Sequence, residues 1–164
     1  MNLKYPIIQK IFRKTIIDIK IATFEDINFI KHCFYLGLKE KHFHNIKFIE
    51  KLKDIIKNNG ASGKIFIIKD NTNTKAGFAL CGINQLNTYE INMIYILKEF
   101  RNKKLATNFI KYYEQLIRNN KIVVRCDIKY SKQAIEIFKH LGYQELSKKE
   151  KTNQYEFMIL EKSI

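Results

Sequence analysis

The run Ile94-Tyr95-Ile96-Leu97-Lys98-Glu99-Phe100-Arg101-Asn102-Lys103-Lys104-Leu105-Ala106 carries an extended apolar segment through a short basic loop into the start of a helix. The first backbone N–H groups of a helix have no internal partner, and the helix dipole puts partial positive charge where they point. Arg101, Lys103 and Lys104 bring side-chain charge to the same place, and Thr107 adds a hydroxyl. Strand, basic turn and helix N-terminus in succession make an anion site of the kind that suits a pyrophosphate. A solvated basic loop capping a core helix would use the same residues, so the neighbouring sequence has to decide between the two.

Working upstream, Tyr89 to Leu97 reads as a long strand, preceded by a turn at Asn84 to Thr88 and a strand at Ala76 to Cys81. Before that, the wholly apolar Ile65-Phe66-Ile67-Ile68 predicts a strand buried on both faces, with Asp70 to Thr74 as its polar turn. Two helices are expected earlier. Ile27, Ile30 and Phe34 follow a Thr23/Asp26 capping pattern, and Ile49, Leu52, Ile55 and Ile56 form a stripe that ends at Asn58-Asn59-Gly60. Ile17, Ile19 and Ile21 alternate with Asp18 and Lys20 as a half-buried strand, and a short helix is expected within residues 1–15.

Downstream, Ala106, Phe109, Ile110, Tyr113 and Ile117 share one helical face. A strand opens at Ile122 to Val124, and a helix runs between a Ser131 cap and Gly142 with Ala134, Ile137, Phe138 and Leu141 on one side. The tail alternates Tyr155, Phe157 and Ile159 as a last strand. Strand, two helices, three antiparallel strands, helix, strand, helix and strands give an α/β (α+β) domain with a mixed sheet flanked by helices.

Two stretches resemble the GNAT N-acetyltransferase superfamily. Ile94 to Ala106 is similar to its motif A, a strand followed by Arg or Gln-x-x-Gly-x-Gly or Ala and a helix, with Arg101 at the first position and Ala106 at the last; the middle glycine is Lys104 here. Ser131-x-x-Ala134-x-x-x-Phe138-x-x-x-Gly142-Tyr143 is similar to its motif B, with Ser131 in place of Asn and Phe138 in place of Tyr. The order of elements resembles the family from the strand at Ile17 to the strand at Phe157. The resemblance implies acetyl-CoA as the acyl donor, and a sheet that splits beside the strand ending at Leu97. It implies that Arg101, Asn102, Lys103, Lys104, Leu105, Ala106 and Thr107 hold the pyrophosphate. The backbone of Ile94, Tyr95 and Ile96 would pair with the pantetheine arm, and Ser131 would reach its side.

Acyl transfer to an amine needs a base for the ammonium, a donor for the oxyanion and a proton for the departing sulfur. Glu90 is the candidate base: it lies six residues before Ile96, on the same face by strict strand alternation, and its position resembles that of the glutamate base in histone-acetyltransferase-like members. An exposed strand charge beside a turn is the other reading of that residue. The Ile96 N–H is the oxyanion donor by resemblance. With Phe138 at the motif B position, the acid is one of Tyr95, Tyr112, Tyr130 and Tyr143, or water.

At 164 residues, with 46% hydrophobic residues and no Pro- or Ser/Gly-rich linker, the chain is expected to be one domain spanning 1–164. The net charge of +14 divides as +6 over residues 1–60 and +8 over 61–164, so it is a spread excess rather than a nucleic-acid arm. Nucleic acid is thus the less favoured partner. The same excess disfavours polycationic acceptors and favours an acidic or nucleotide-linked amine, an aminoacyl-tRNA among them. Cys33, Cys81 and Cys126 read as buried thiols, and no metal site is expected. No membrane segment or signal peptide is read, which gives a cytoplasmic monomer or homodimer as the expectation. The alternatives are a CoA-binding module with little catalysis and a toxin-like acetyltransferase acting on aminoacyl-tRNA.

Overall fold

The computed structural model describes residues 18–58, 63–84, 86–146, 149–152 and 154–164. The helix expected within residues 1–15 and the Gly60 stop lie outside them. The elements are β1 (Asp18–Ile21), α1 (Ile27–Lys39), α2 (Lys47–Lys57), β2 (Lys64–Lys69), β3 (Lys75–Ile83), β4 (Tyr89–Ile96), α3 (Leu105–Leu116), β5 (Lys121–Asp127), α4 (Lys132–His140), β6 (Gln144–Glu145), β7 (Glu150–Lys151) and β8 (Glu156–Ser163). The strands join in one mixed sheet, ordered β1-β2-β3-β4-β5-β8-β6, with β7 also on β8. Every pairing is antiparallel except β4 with β5, which α3 connects as a parallel crossover.

Alternation along β2 explains its unbroken apolar run. Ile65 and Ile67 pack with Phe78, Leu80 and Tyr95 under Ile30, Phe34, Phe48 and Leu52 of α1 and α2. Phe66 and Ile68 point the other way and join Ala79, Ile91 and Ile96 under Phe109, Ile110 and Tyr113 of α3 and Phe138 of α4. The sheet therefore separates two cores, and each needs an apolar face from the central strands. The 3-10 turn Phe24–Asp26 that leads into α1 is closed by the Asp26 carboxylate, which accepts the Thr23 backbone N–H at 2.9 Å and the Thr23 hydroxyl at 3.2 Å. The Asp70 to Thr74 turn closes on the Asp70 carboxylate, which accepts the N–H groups of Thr72 and Thr74. All three cysteines are buried free thiols, pushed up by burial, Cys33 and Cys126 to about 12.

Candidate active site

The parallel pair β4 and β5 is registered only from Tyr89–Ile91 against Ile122–Val124. Beyond that the strands diverge, and a cleft of about 470 Å³ opens between Asn92–Ile96 on one side and Val124–Cys126 on the other. The start of α3, through Asn102, Lys104, Leu105, Ala106 and Thr107, and the start of α4, through Ser131 and Ala134, also line it. Strand pairing decides which peptide groups face this cleft. Leu97 N–H bonds Ala76 O at 2.8 Å, towards β3, so by alternation the N–H and C=O of Ile96 and Ile94 turn away from β3 to the open side.

The α3 end fits an anion. Lys104 is the residue before the helix and holds φ 60°, ψ 17°, the left-handed conformation that glycine adopts without penalty. Asn102 is also left-handed, at φ 62°. The first intrahelical bond runs from Asn108 N–H to Lys104 O, so the N–H groups of Leu105, Ala106 and Thr107, all on the cleft lining, have no helical acceptor. The backbone thus keeps the shape the glycine motif specifies, at a local cost of about 1 kcal/mol for a lysine there. Lys103 departs from expectation: its ammonium lies over the Phe100 ring at 5.2 Å, outside the cleft lining.

Arg101 is also placed differently from a free phosphate ligand. Its Nε donates to Ile96 O at 2.9 Å, and its Nη2 lies 2.6 Å from Glu40 Oε2. Glu40 accepts the Tyr95 hydroxyl at 3.1 Å as well, and His42 Nε2 stands 3.2 Å from it. Burial alone would push the Glu40 carboxyl up; the Arg101 guanidinium, Tyr95 and His42 outweigh this and hold it below the usual carboxylate range. Tyr95 is pushed up to about 12 by burial and by the adjacent Glu40 charge.

Glu90 needs a correction of face. Cys81 pairs with Ile91 but Leu80 pairs with Met93, so Asn92 is an extra residue, a β-bulge in β4. One added residue reverses the alternation, and Glu90 lies on the face of Met93 and Tyr95, not of Ile96. Its carboxylate accepts the side-chain amides of Asn84 and Asn92, each at 3.0 Å, and Arg125 Nη2 is 3.7 Å away. It sits in a small recess shared with Ile91, Asn92 and Arg125, which also line the cleft, at the vertex where the two strands part. Ser131 precedes α4 as expected, but its side chain makes no cap bond. The Asp127 carboxylate organises that turn instead, accepting the N–H groups of Lys129 and Tyr130 at 2.8 and 2.9 Å.

Of the four tyrosines, Tyr95 and Tyr130 line the cleft. Tyr143 is buried against Phe138, with ring centroids 5.0 Å apart, and Tyr112 packs on Phe66 and Phe109. Residues 40–44 join the site through contacts distant in sequence. Glu40 ties them to the β4 side, while His44 Nε2 lies 3.1 Å from Asp127 Oδ2 and the His44 ring stacks on Tyr155 at 3.9 Å, on the β5 side. The segment straps across the mouth of the split, placing His42 and Phe43 on its wall. Its partners are 61 and 83 residues away in sequence, and no local pattern encodes such pairings. Among the described residues no group of three or more His, Cys, Asp or Glu side chains could hold a metal ion.

A model of the acetyltransferase (GNAT) domain matches residues 32–164. Similar solved structures include an acetyltransferase of the GNAT family from Bacillus cereus, at 15% identity and TM-score 0.69, covering 90% of this chain and 96% of that one. Another is spermidine N-acetyltransferase from Vibrio cholerae, solved in complex with CoA and spermine, at 15% identity and TM-score 0.71, with coverage of 90% and 95%. No curated protein matches the sequence. At these identities the structures share a fold with this chain, an open mixed sheet flanked by helices.

Proposed function

Because the chain belongs to the GNAT acetyltransferase family, whose domain model it matches over residues 32–164, we propose that this acyltransferase moves an acetyl group from acetyl-CoA to a primary amine. One observation carries the assignment of the donor site: the outward-facing peptide groups of Ile94 and Ile96 lie along the same cleft that the first turn of α3 also lines. An extended arm can pair with the first, and a pyrophosphate can take the second. The donor supplies an activated thioester; the chain supplies position and charge.

In this reading the amides of Leu105, Ala106 and Thr107, with the Lys104 side chain, hold the pyrophosphate. Arg101 acts as a brace, since its bonds to Ile96 O and Glu40 fix the wall of the cleft. The Ile96 N–H donates to the carbonyl oxygen as negative charge develops there. Glu90, at the vertex of the split, takes the ammonium proton, directly or through one water. Tyr130, on the cleft lining, returns a proton to the sulfur, since Phe138 has none to give, Tyr143 is buried in the core and the Tyr95 hydroxyl is bound to Glu40. The acceptor is acidic or nucleotide-linked, and the chain acts as one domain in the cytoplasm, as a monomer or homodimer.

Equilibrium titration with CoA, followed by steady-state kinetics, tests the assignment. Lys104→Glu should weaken CoA binding more than tenfold, and Glu90→Gln should lower kcat while leaving the acetyl-CoA affinity within about threefold. Unchanged CoA affinity in Lys104→Glu would place the donor elsewhere. Full turnover by Glu90→Gln across neutral pH would remove Glu90 from the mechanism, and CoA binding by the wild type without transfer to any amine would leave a binding module.

A further inference from the structure

The mouth of the cleft on the α1 and α2 side is framed by two loops, residues 40–46 and residues 128–131, and its electrostatics are one-sided. Lys41 Nζ lies 5.4 Å and Lys129 Nζ 5.1 Å from the centre of the Tyr130 ring, and Tyr130 lines the cleft. Both lysines are exposed, and among the described residues neither has a carboxylate within ion-pair distance. The acids nearby are already engaged. Glu40 is bonded to Arg101, Tyr95 and His42, and Asp127 to His44 and two backbone N–H groups.

A polycationic acceptor would meet two ammonium groups at this mouth and no uncompensated carboxylate, a repulsive arrangement. An anion would meet two unpaired cations beside an aromatic ring, with charge-assisted hydrogen bonds available from both. Lys41 also holds a left-handed backbone, φ 61°, where glycine or asparagine would avoid the penalty. Building on the donor assignment above, we propose that the acceptor is a small amine bearing a phosphate or carboxylate a few bonds from its nitrogen, and that Lys41 and Lys129 seat that anion beside Tyr130. The group to be acetylated then points inward along the cleft towards the vertex at Glu90.

The test uses the full chain and the variant Lys41→Gln/Lys129→Gln, whose positions are exposed and touch the fold only at the Tyr130 ring among the contacts described. CoA is titrated first; its affinity should agree between the two proteins within about threefold. The CoA-loaded proteins are then titrated with O-phosphoethanolamine, β-alanine, ethanolamine and spermidine, and turnover of each with acetyl-CoA is followed by thiol release. We expect O-phosphoethanolamine or β-alanine to exceed ethanolamine at least tenfold in kcat/KM, with spermidine lowest. The double variant should erase that preference through KM, and the better of the two anionic amines tells phosphate from carboxylate. The proposal is overturned if spermidine is the best acceptor, if neither anionic amine binds, if the preference survives in the double variant, or if the variant loses CoA affinity instead. Should CoA fail to bind the wild type while an anionic amine still binds through the two lysines, the donor assignment falls and the anion seat stands.

Discussion

Individual side chains here resolve conflicts between burial and charge, and Asp26 does so at the start of α1. It is fully buried, yet Lys75 Nζ lies 2.7 Å and Lys20 Nζ 2.9 Å from its carboxylate. Burial by itself pushes the carboxyl up; the ammonium groups of Lys75 and Lys20 and the hydrogen bonds from Thr23 outweigh it and hold it at about 2. A carboxyl depressed in the folded state stabilises the fold above its unfolded value, near 3.9, and that contribution is lost as pH falls from about 4 through about 2. The amount is about 2 kcal/mol at neutral pH, less whatever the partly exposed lysines lose to solvent screening. Asp26→Asn should therefore unfold more easily than the wild type at pH 7, and chemical denaturation should find the gap narrowing below pH 4. A constant gap down to pH 2 would show that the ion pairs contribute nothing and that the loss is one of hydrogen bonding alone.

Among the elements, β4 decides the site, and it also marks where sequence reading stops. Its limits, its turn to α3 and the left-handed start of that helix follow from an apolar run, a basic loop and the glycine position that Lys104 fills. The bulge at Asn92 does not, because a single extra residue leaves the apolar spacing locally intact while inverting every face before it. Strict alternation puts Glu90 on the face of Ile96, and the strand does not keep that alternation. The two-residue strands β6 and β7 are too short to carry a period, and β8 enters the sheet between β5 and β6 through pairings that no local pattern specifies. Gly77 on β3 is the counterpart constraint: a Cβ there would collide with the Tyr95 carbonyl oxygen and press on Ile96. Both contacts are with the strand that lines the cleft. Gly77→Ala should cost about 2 kcal/mol or more in denaturant unfolding and should weaken CoA binding, because relief requires β4 to move. Wild-type stability in that variant would mean that β3 and β4 tolerate a wider spacing than their register implies.

For the molecule as a whole, the split between β4 and β5 is a structural weakness as well as a site. One sheet spans both halves, yet among the described residues β5, β8, β6 and β7 pair with the β1–β4 half only through three residue pairs at the vertex. The strap of residues 40–44 adds the Glu40 and His44 contacts across the mouth. A ligand that pairs with Ile94 and Ile96 and also touches Ser131 would tie the two halves together, and anything that binds only the native state stabilises it by mass action. At a free CoA concentration a hundred times its Kd, that stabilisation is about 2.7 kcal/mol. For a chain of this size the melting temperature should then rise by roughly 5 to 10 °C, since each kcal/mol moves it by about 2–4 °C. Charge at the α3 end makes the effect salt-dependent: at a fixed CoA concentration the rise should shrink as ionic strength increases. Hydrogen exchange localises it, with added protection expected at residues 92–97 and 124–131 and little at β1 and β2. A thermal shift with protection spread evenly over the sheet would argue that the split does not open in the free protein. No shift at saturating CoA would mean that the cleft is not where a donor binds.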